Sequence, residues 1–124
     1  MATIQISRRM NRVEEFNAYR EKMNAKMSSQ GHKNLNRFFN LDTNTYKEGA
    51  LDVKTKELLG LVSSMVLRCD DCIAYHLGAC YEAGVTKEEL FDLFMIANLV
   101  GGSIVIPHTR RALEYWEALE GKDL

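Results

Sequence analysis

The sequence contains little proline: there is one in 124 residues, and no tract rich in glycine and serine. Strands joined by tight turns need more of these residues, so their scarcity argues against a β-rich fold and against flexible linkers. An excess of charge of either sign is also missing, since 16 basic residues face 17 acidic ones. A nearly neutral chain has no electrostatic reason to bind nucleic acid or an anionic membrane, and neither is expected as a partner.

Cysteine is scarce and odd in number, with three in the chain, two of which are three positions apart. A secreted disulfide scaffold carries more cysteines, in even number. Residues 1–10 lack the apolar core of a signal peptide. The most apolar stretch, residues 91–106, is shorter than the about 20 residues that a membrane-spanning helix needs. We therefore expect a cytoplasmic protein whose close cysteine pair serves redox chemistry or metal binding.

Helical patterning dominates the rest of the sequence. We predict one all-α domain over residues 1–124, because folded domains commonly contain about 100–150 residues. Local signals mark several helix ends: Gly31 follows the first helix, Asp52 is an N-cap, and Thr86 with Glu89 forms a capping box. The predicted helices are Ser7–Ser29, a short helix at Asn34–Phe39 followed by a turn-rich passage at 42–44, Val53–Arg68, Asp70–Gly84, a helix from Thr86 to about Val100, and Ser103–Glu120.

Two of these segments, Leu58–Leu67 and Phe91–Val100, are more apolar than the surface helices of a small monomer. Helices that are hydrophobic nearly all round are normally buried. A chain of this length has little room to bury two of them. We therefore predict a homo-oligomer in which neighbouring subunits cover part of both helices.

The most informative pattern is Glu57-x11-Cys69-x2-Cys72-x3-His76. The two thiols lie near a predicted helix start, where unpaired backbone N–H groups and the helix dipole favour a thiolate. His76, one turn beyond Cys72, is placed to exchange a proton with it directly or through water. Glu57 stands in an apolar run, where a carboxylate tends to be partnered or functional. These four residues are the candidate catalytic residues of a dithiol–disulfide site.

Two acidic residues, Asp70 and Asp71, separate the thiols. They suit the first turn of a helix but oppose a thiolate electrostatically. Destabilising the dithiolate favours the disulfide, so we expect the pair to be a reductant rather than an oxidant. We interpret Cys80 as a small buried hydrophobe, and His32 and His108 as structural or solvated residues.

Other uses of the cysteine pair fit less well. With His76, the pair supplies three ligands of a zinc site, but no fourth ligand stands at a customary spacing. A c-type haem needs a histidine directly after the second cysteine, where Ile73 stands. We predict neither a metal nor a cofactor.

Two runs, GALDVKTKELL at 49–59 and RCDDCIAYH at 68–76, carry a resemblance to a known family. With AGVTKEEL at 83–90 and the glycine pair at 101–102, the chain resembles the carboxymuconolactone decarboxylase / alkylhydroperoxidase D-like (AhpD-like) family over roughly residues 49–116. The resemblance implies an all-α fold, trimers or hexamers of the subunit, and a thiol-dependent peroxidase or disulfide reductase activity.

The resemblance also implies roles for the four motif residues. In members with the full motif, the glutamate and histidine relay protons, the second cysteine reduces the peroxide and the first resolves it. Carried onto this chain, Glu57 and His76 form the relay, Cys72 attacks and Cys69 resolves. The chain departs from the pattern at Asp71, where some hydroperoxidase members carry a histidine. The implied partners are a small-molecule hydroperoxide and an external dithiol or disulfide reductant.

The leading hypothesis is therefore a thiol-dependent hydroperoxide reductase of the peroxiredoxin type. Two alternatives stay open. The family's other branch decarboxylates a muconolactone, typically without the cysteine pair; His76 or Glu57 is then the general acid or base and no cofactor is needed. The third hypothesis is a non-enzymatic redox-sensing module in which disulfide formation changes packing.

Overall fold

A computed structural model describes residues 9–122 of the chain. Over this range the backbone forms six α-helices and one 3₁₀ turn, and no strand. The elements are α1 (Arg12–Ser29), α2 (Lys33–Thr45), α3 (Val53–Val66), α4 (Asp70–Glu82), α5 (Lys87–Gly101), the 3₁₀ turn Ser103–Val105 and α6 (Ile106–Leu119). The predicted all-α class is confirmed.

Polar side chains fix the starts of several helices. Asp52 accepts a hydrogen bond from the backbone N–H of Thr55 at 2.7 Å, so the predicted N-cap of α3 is confirmed. Thr86 and Glu89 form the predicted capping box of α5, in which the Glu89 carboxylate accepts from the Thr86 N–H at 2.9 Å. Each cap satisfies a backbone donor that the helix itself leaves without a partner.

The prediction for the second helix was wrong. The short helix expected at Asn34–Phe39 is the longer helix α2, which continues through the expected turn to Thr45. The hydroxyls of Thr43 and Thr45 donate to carbonyls four residues earlier, at 3.0 and 2.7 Å, so these turn-favouring residues are satisfied inside the helix. At the end of α2, the side-chain amine of Lys56 donates to the carbonyls of Thr45 and Lys47. No local sequence pattern predicts this tertiary contact.

Two further helix starts differ from the prediction. α1 begins at Arg12, after the Asn11 cap, and the predicted start at Ser7 lies outside the described residues. The last helix begins at Ile106, because residues 103–105 form a tighter 3₁₀ turn first. Pro107 then lies in the first turn of α6, where its missing N–H removes no helical hydrogen bond.

The hydrophobic core lies where α3, α4, α5 and α6 meet. α3 packs against α4 and α5, and α4 also packs against α6. Burying one large apolar side chain stabilises the fold by about 1.5–3 kcal/mol, and these four helices supply most of the buried ones. Cys80 is fully buried among them, as predicted. The largest fully buried side chains are Trp116, Phe94, Leu61, Met65, Leu77, Leu90 and Val105.

Part of the apolar surface of α5 is left exposed in the single chain. Phe91, Met95 and Leu99 are spaced four residues apart and are 44%, 68% and 85% exposed. Residues four apart share one helix face, so the three side chains form a continuous apolar stripe. Within residues 9–122, no helix is both long and apolar enough to cross a membrane.

Candidate functional site

The two cysteines of the motif lie together at the start of α4. Cys69 is the N-cap, and its Sγ accepts from the backbone N–H of Cys72 at 3.4 Å. The two Sγ atoms are 2.7 Å apart and both cysteines are free thiols. Cys72 is exposed, whereas Cys69 is half-buried. Closing a disulfide between them therefore requires only a small displacement of the sulfurs.

The Cys72 thiol holds its proton firmly. The hydrogen bond to Cys69, partial burial and the negative charges of Asp71 and Asp42 raise the pKa of Cys72 to about 11. The expectation that the helix start favours a thiolate is wrong for Cys72, because the hydrogen bond, the burial and the carboxylates all disfavour its charged form. The opposition predicted from the acidic pair is present for Asp71, and Asp42 on α2 adds to it.

His76 and Glu57 form a buried pair where α4 packs on α3. The imidazole Nδ1 lies 2.8 Å from Glu57 Oε2, and the two residues are 8% and 5% exposed. A buried carboxylate is costly unless it is paired, and this contact supplies its partner. In the neutral imidazole, an Nδ1–H that donates to Glu57 leaves Nε2 as the basic nitrogen.

The imidazole of His76 lies flat against a glycine of α3. A Cβ built on Gly60 comes within 2.6 Å of His76 Cε1, closer than side chains approach. One turn along α3, the hydroxyl of buried Ser64 donates to the Gly60 carbonyl at 2.7 Å. The absence of a side chain at Gly60 therefore makes the room in which His76 reaches Glu57.

Sequence reasoning missed Tyr46, the C-cap residue of α2. Its hydroxyl lies 3.4 Å from His76 Nε2, and the two ring centroids are 5.1 Å apart. The Tyr75 ring also contacts the imidazole, with its centroid at 5.2 Å. Burial and the negative charge of Glu57 raise the pKa of Tyr46. No sequence signal connects Tyr46 with a histidine 30 residues away, in a passage predicted to be irregular.

Cys72 and His76 both line one cavity between α1, α2 and α4, with a volume of about 370 Å³. This volume suits a small organic molecule. The Arg20 guanidinium lies over the Tyr75 ring, 4.2 Å from its centroid, at the α1 wall. Most of the other lining side chains are aromatic or aliphatic: Phe16, Tyr19, Met23, Phe38 and Phe39.

A second polar cluster fastens the start of α4 to α6. Asp70 Oδ1 lies 2.7 Å from His108 Nδ1, and Arg111 Nε donates to Asp70 Oδ2 at 3.1 Å. Partial burial by itself raises the pKa of Asp70. The hydrogen bond from His108 and the charge of Arg111 outweigh that effect and hold the pKa of Asp70 below its usual value. The interpretation of His108 as structural agrees with this contact. Within residues 9–122, no three histidine, cysteine, aspartate or glutamate side chains are arranged to hold a metal ion.

The sequence profile of the Carboxymuconolactone decarboxylase family matches residues 33–115, well over half of the chain. The chain belongs to the carboxymuconolactone decarboxylase family. The resemblance inferred from the two sequence runs is thereby confirmed.

Solved structures of carboxymuconolactone decarboxylase family proteins have the same fold. TM1620 of Thermotoga maritima is 55% identical and superposes with a TM-score of 0.84, over 86% of this chain and 94% of that protein. It is described as a family member with a suggested involvement in the antioxidative response. lpg0406 of Legionella pneumophila is 27% identical, with a TM-score of 0.80 over 88% of this chain and 97% of that protein.

A more distant relative is the alkyl hydroperoxide reductase AhpD of Corynebacterium aurimucosum. It is 32% identical over 62 residues, which are 50% of this chain but only 35% of that protein. The similarity thus spans about a third of the length of AhpD.

Proposed function

We propose that this family member is a thiol-dependent hydroperoxide reductase in which Cys69 and Cys72 cycle between dithiol and disulfide. The observation that carries the proposal is the pair of free thiols 2.7 Å apart, with Cys72 on the same cavity as the buried histidine His76. A dithiol cycle needs two sulfurs within reach of each other and a group that moves a proton. The similarity to AhpD and the suggested antioxidative involvement of TM1620 support the same class of reaction.

In the proposed cycle Cys72 attacks, because it is exposed and lines the cavity. Its sulfur bonds to the outer oxygen of the hydroperoxide, the O–O bond breaks, and the thiol proton ends on the departing alcohol. Cys72 is then a sulfenic acid. The Cys69 sulfur displaces its hydroxyl, which leaves as water, and the disulfide forms. An external dithiol restores both thiols by thiol–disulfide exchange.

The raised pKa of Cys72 explains why this cycle needs a base. A thiol with a pKa of about 11 is almost wholly protonated at neutral pH, so its proton must leave as the sulfur attacks. We assign this role to His76, with Glu57 balancing the charge of the imidazolium. A positioned acid–base group accelerates such steps by roughly 10²–10⁴-fold. The carboxylates of Asp71 and Asp42, which disfavour the thiolate, also make the pair a reductant.

We further propose that the working protein is a homo-oligomer, a trimer or a hexamer. The exposed apolar stripe of Phe91, Met95 and Leu99 on α5 supports this, because large exposed apolar patches mark interaction surfaces. A cytoplasmic location fits the reaction, since thiols are kept reduced there.

A free-thiol count combined with a turnover assay tests the function. Stoichiometric hydroperoxide is expected to remove two of the three thiols, and dithiothreitol is expected to sustain turnover. Cys69→Ser and Cys72→Ser should each abolish turnover. Oxidation of both thiols without turnover identifies a redox-sensing module instead. If the wild-type protein does not reduce hydroperoxide but decarboxylates a muconolactone, and the Cys69→Ser/Cys72→Ser variant keeps that decarboxylation, the other enzymatic branch is identified.

A further inference from the structure

We propose that the Tyr46 hydroxyl carries the proton between Cys72 and His76. The proposal rests on the proposed thiol-dependent function, to which it adds a residue. It begins from the two imidazole nitrogens. Nδ1 is engaged by Glu57 at 2.8 Å, so only Nε2 is left for exchange, and Nε2 faces the Tyr46 hydroxyl at 3.4 Å. Active-site hydrogen bonds of this length in unliganded enzymes commonly tighten when substrate binds.

The geometry links Tyr46 with the thiol through His76: the imidazole whose Nε2 faces the phenol lines the same cavity as Cys72. Burial is the main reason that its pKa is raised, and Glu57 from α3 adds to it. Asp42 from α2 raises it as well, as do Tyr75 and Cys72 from α4. The reacting sulfur is therefore one of the groups close enough to act on the phenol electrostatically.

Hydrogen bonds from Lys56 fix the backbone on either side of Tyr46. The Lys56 amine donates to the carbonyl of Thr45 at 2.8 Å and to that of Lys47 at 2.6 Å, the two residues that flank Tyr46. Lys56 lies on α3, one residue before Glu57. The same helix therefore contacts the backbone on both sides of Tyr46 through Lys56, and the imidazole through Glu57.

Every proton is accounted for over one peroxide reduction. Before attack, Tyr46 O–H donates to Nε2 of the neutral imidazole. As the Cys72 sulfur bonds to the peroxide oxygen, its proton passes to the Tyr46 oxygen, and the proton of Tyr46 passes to Nε2. Glu57 balances the resulting imidazolium. The reverse transfer returns one proton to the departing alkoxide, so the thiol proton is found on the alcohol and the relay is restored.

Tyr46→Phe tests the proposal because it keeps the ring and removes only the hydroxyl. Tyr81→Phe is the matched control: Tyr81 is on α4 but packs edge-to-face against Trp116 and does not line the cavity. We expect Tyr46→Phe to slow the oxidation of Cys72 by cumene hydroperoxide roughly 10- to 100-fold, up to the lower end of the acid–base contributions given above, and Tyr81→Phe to leave it unchanged.

A double-variant cycle separates proton transfer from packing. If Tyr46 and Glu57 act in one relay, Tyr46→Phe and Glu57→Gln change the pH–rate profile in the same way. The double variant is then no slower than the slower single variant. A Tyr46→Phe variant that keeps the wild-type rate and pH profile overturns the proposal, as do strictly multiplicative losses in the double variant.

Failure of the peroxidase function gives a different result. If the wild-type dithiol does not react with hydroperoxide at all, the proposed function is wrong. Proton transfer from Cys72 through Tyr46 is then tested by the rate at which Cys72 is alkylated. Iodoacetamide labelling of Cys72, followed by mass spectrometry across pH, should then be several-fold slower near neutral pH in both Tyr46→Phe and Glu57→Gln. An unchanged labelling rate in Tyr46→Phe rejects this proton transfer.

Discussion

The imidazole of His76 occupies the space that a side chain on Gly60 needs. The ideal Cβ position of Gly60 lies 2.6 Å from His76 Cε1 and 2.8 Å from each ring nitrogen. This contact between α3 and α4 brings the imidazole to Glu57, one turn earlier on α3. The site thus depends on a missing side chain as much as on the charged groups that it brings together.

Gly60→Ala should therefore displace His76 and slow hydroperoxide reduction. An alanine normally stabilises a helix by about 0.5–1 kcal/mol relative to glycine. Here the clash should reverse the sign, with a net loss of about 1–3 kcal/mol, as is usual for overpacking. Gly78→Ala on α4 is the control, because a Cβ there meets no atom within 4 Å and should be stabilising. Urea unfolding and thiol oxidation rates check both; equal behaviour of the two variants contradicts the prediction.

Glu57→Gln should slow peroxide reduction far more than it lowers stability. Glutamine keeps the length of the side chain and an oxygen that accepts from His76 Nδ1–H, but it cannot balance an imidazolium. We expect a loss of roughly 10²-fold in rate, the contribution of a positioned acid–base group. Glu117→Gln, which weakens only a 3.8 Å ion pair with Lys87, serves as the control. A wild-type rate with an unchanged pH profile makes Glu57 a structural partner only.

Mild oxidation should link Cys69 to Cys72 and leave Cys80 reduced. The first two sulfurs are 2.7 Å apart, whereas Cys80 is fully buried and burial raises its pKa to about 12. Peptide mapping after one equivalent of hydroperoxide tests the pairing. Recovery of Cys80 as the usual partner of either thiol disproves it.

Cys69→Ala should lower the pKa of Cys72 from about 11 toward its ordinary value of 9.0, since the hydrogen bond to Cys69 is the largest cause of the shift. The folded pKa is raised, so the native state holds this proton more tightly than the unfolded chain does. The resulting stability is present below about pH 9 and lost as pH rises through about 11. Cys80→Ala is the control, and alkylation of Cys72 across pH is the measurement. An unchanged pKa in Cys69→Ala contradicts the assignment.

The chain should run as a trimer or larger in light scattering at micromolar concentration. Leu99→Glu should weaken this assembly without unfolding the subunit, because Leu99 is 85% exposed in the single chain. Asn36→Glu, an exposed substitution on α2, introduces the same charge elsewhere and should leave the assembly intact. A stable monomer of 14.2 kDa rules the oligomer out.

The sequence by itself determined the all-α class, most helix boundaries and the cysteine pair at the start of α4. These features depend on residues close together in the chain. Asp52 caps α3 through a residue three positions away, and Cys69 meets Cys72 within one turn. Interactions of such short range follow from helical geometry, so a pattern of spacings is enough to predict them.

Only the tertiary structure decided what surrounds these thiols. Tyr46 reaches His76 across 30 residues, and α2 extends to Tyr46 with its last carbonyls held by Lys56 from another helix. The raised pKa of Cys72 depends in part on Asp42, a residue of α2 that the sequence assigned to a turn. Burial and through-space charge act between helices whose packing no local spacing records, and for that reason the motif alone predicted a thiolate where the folded chain keeps a thiol.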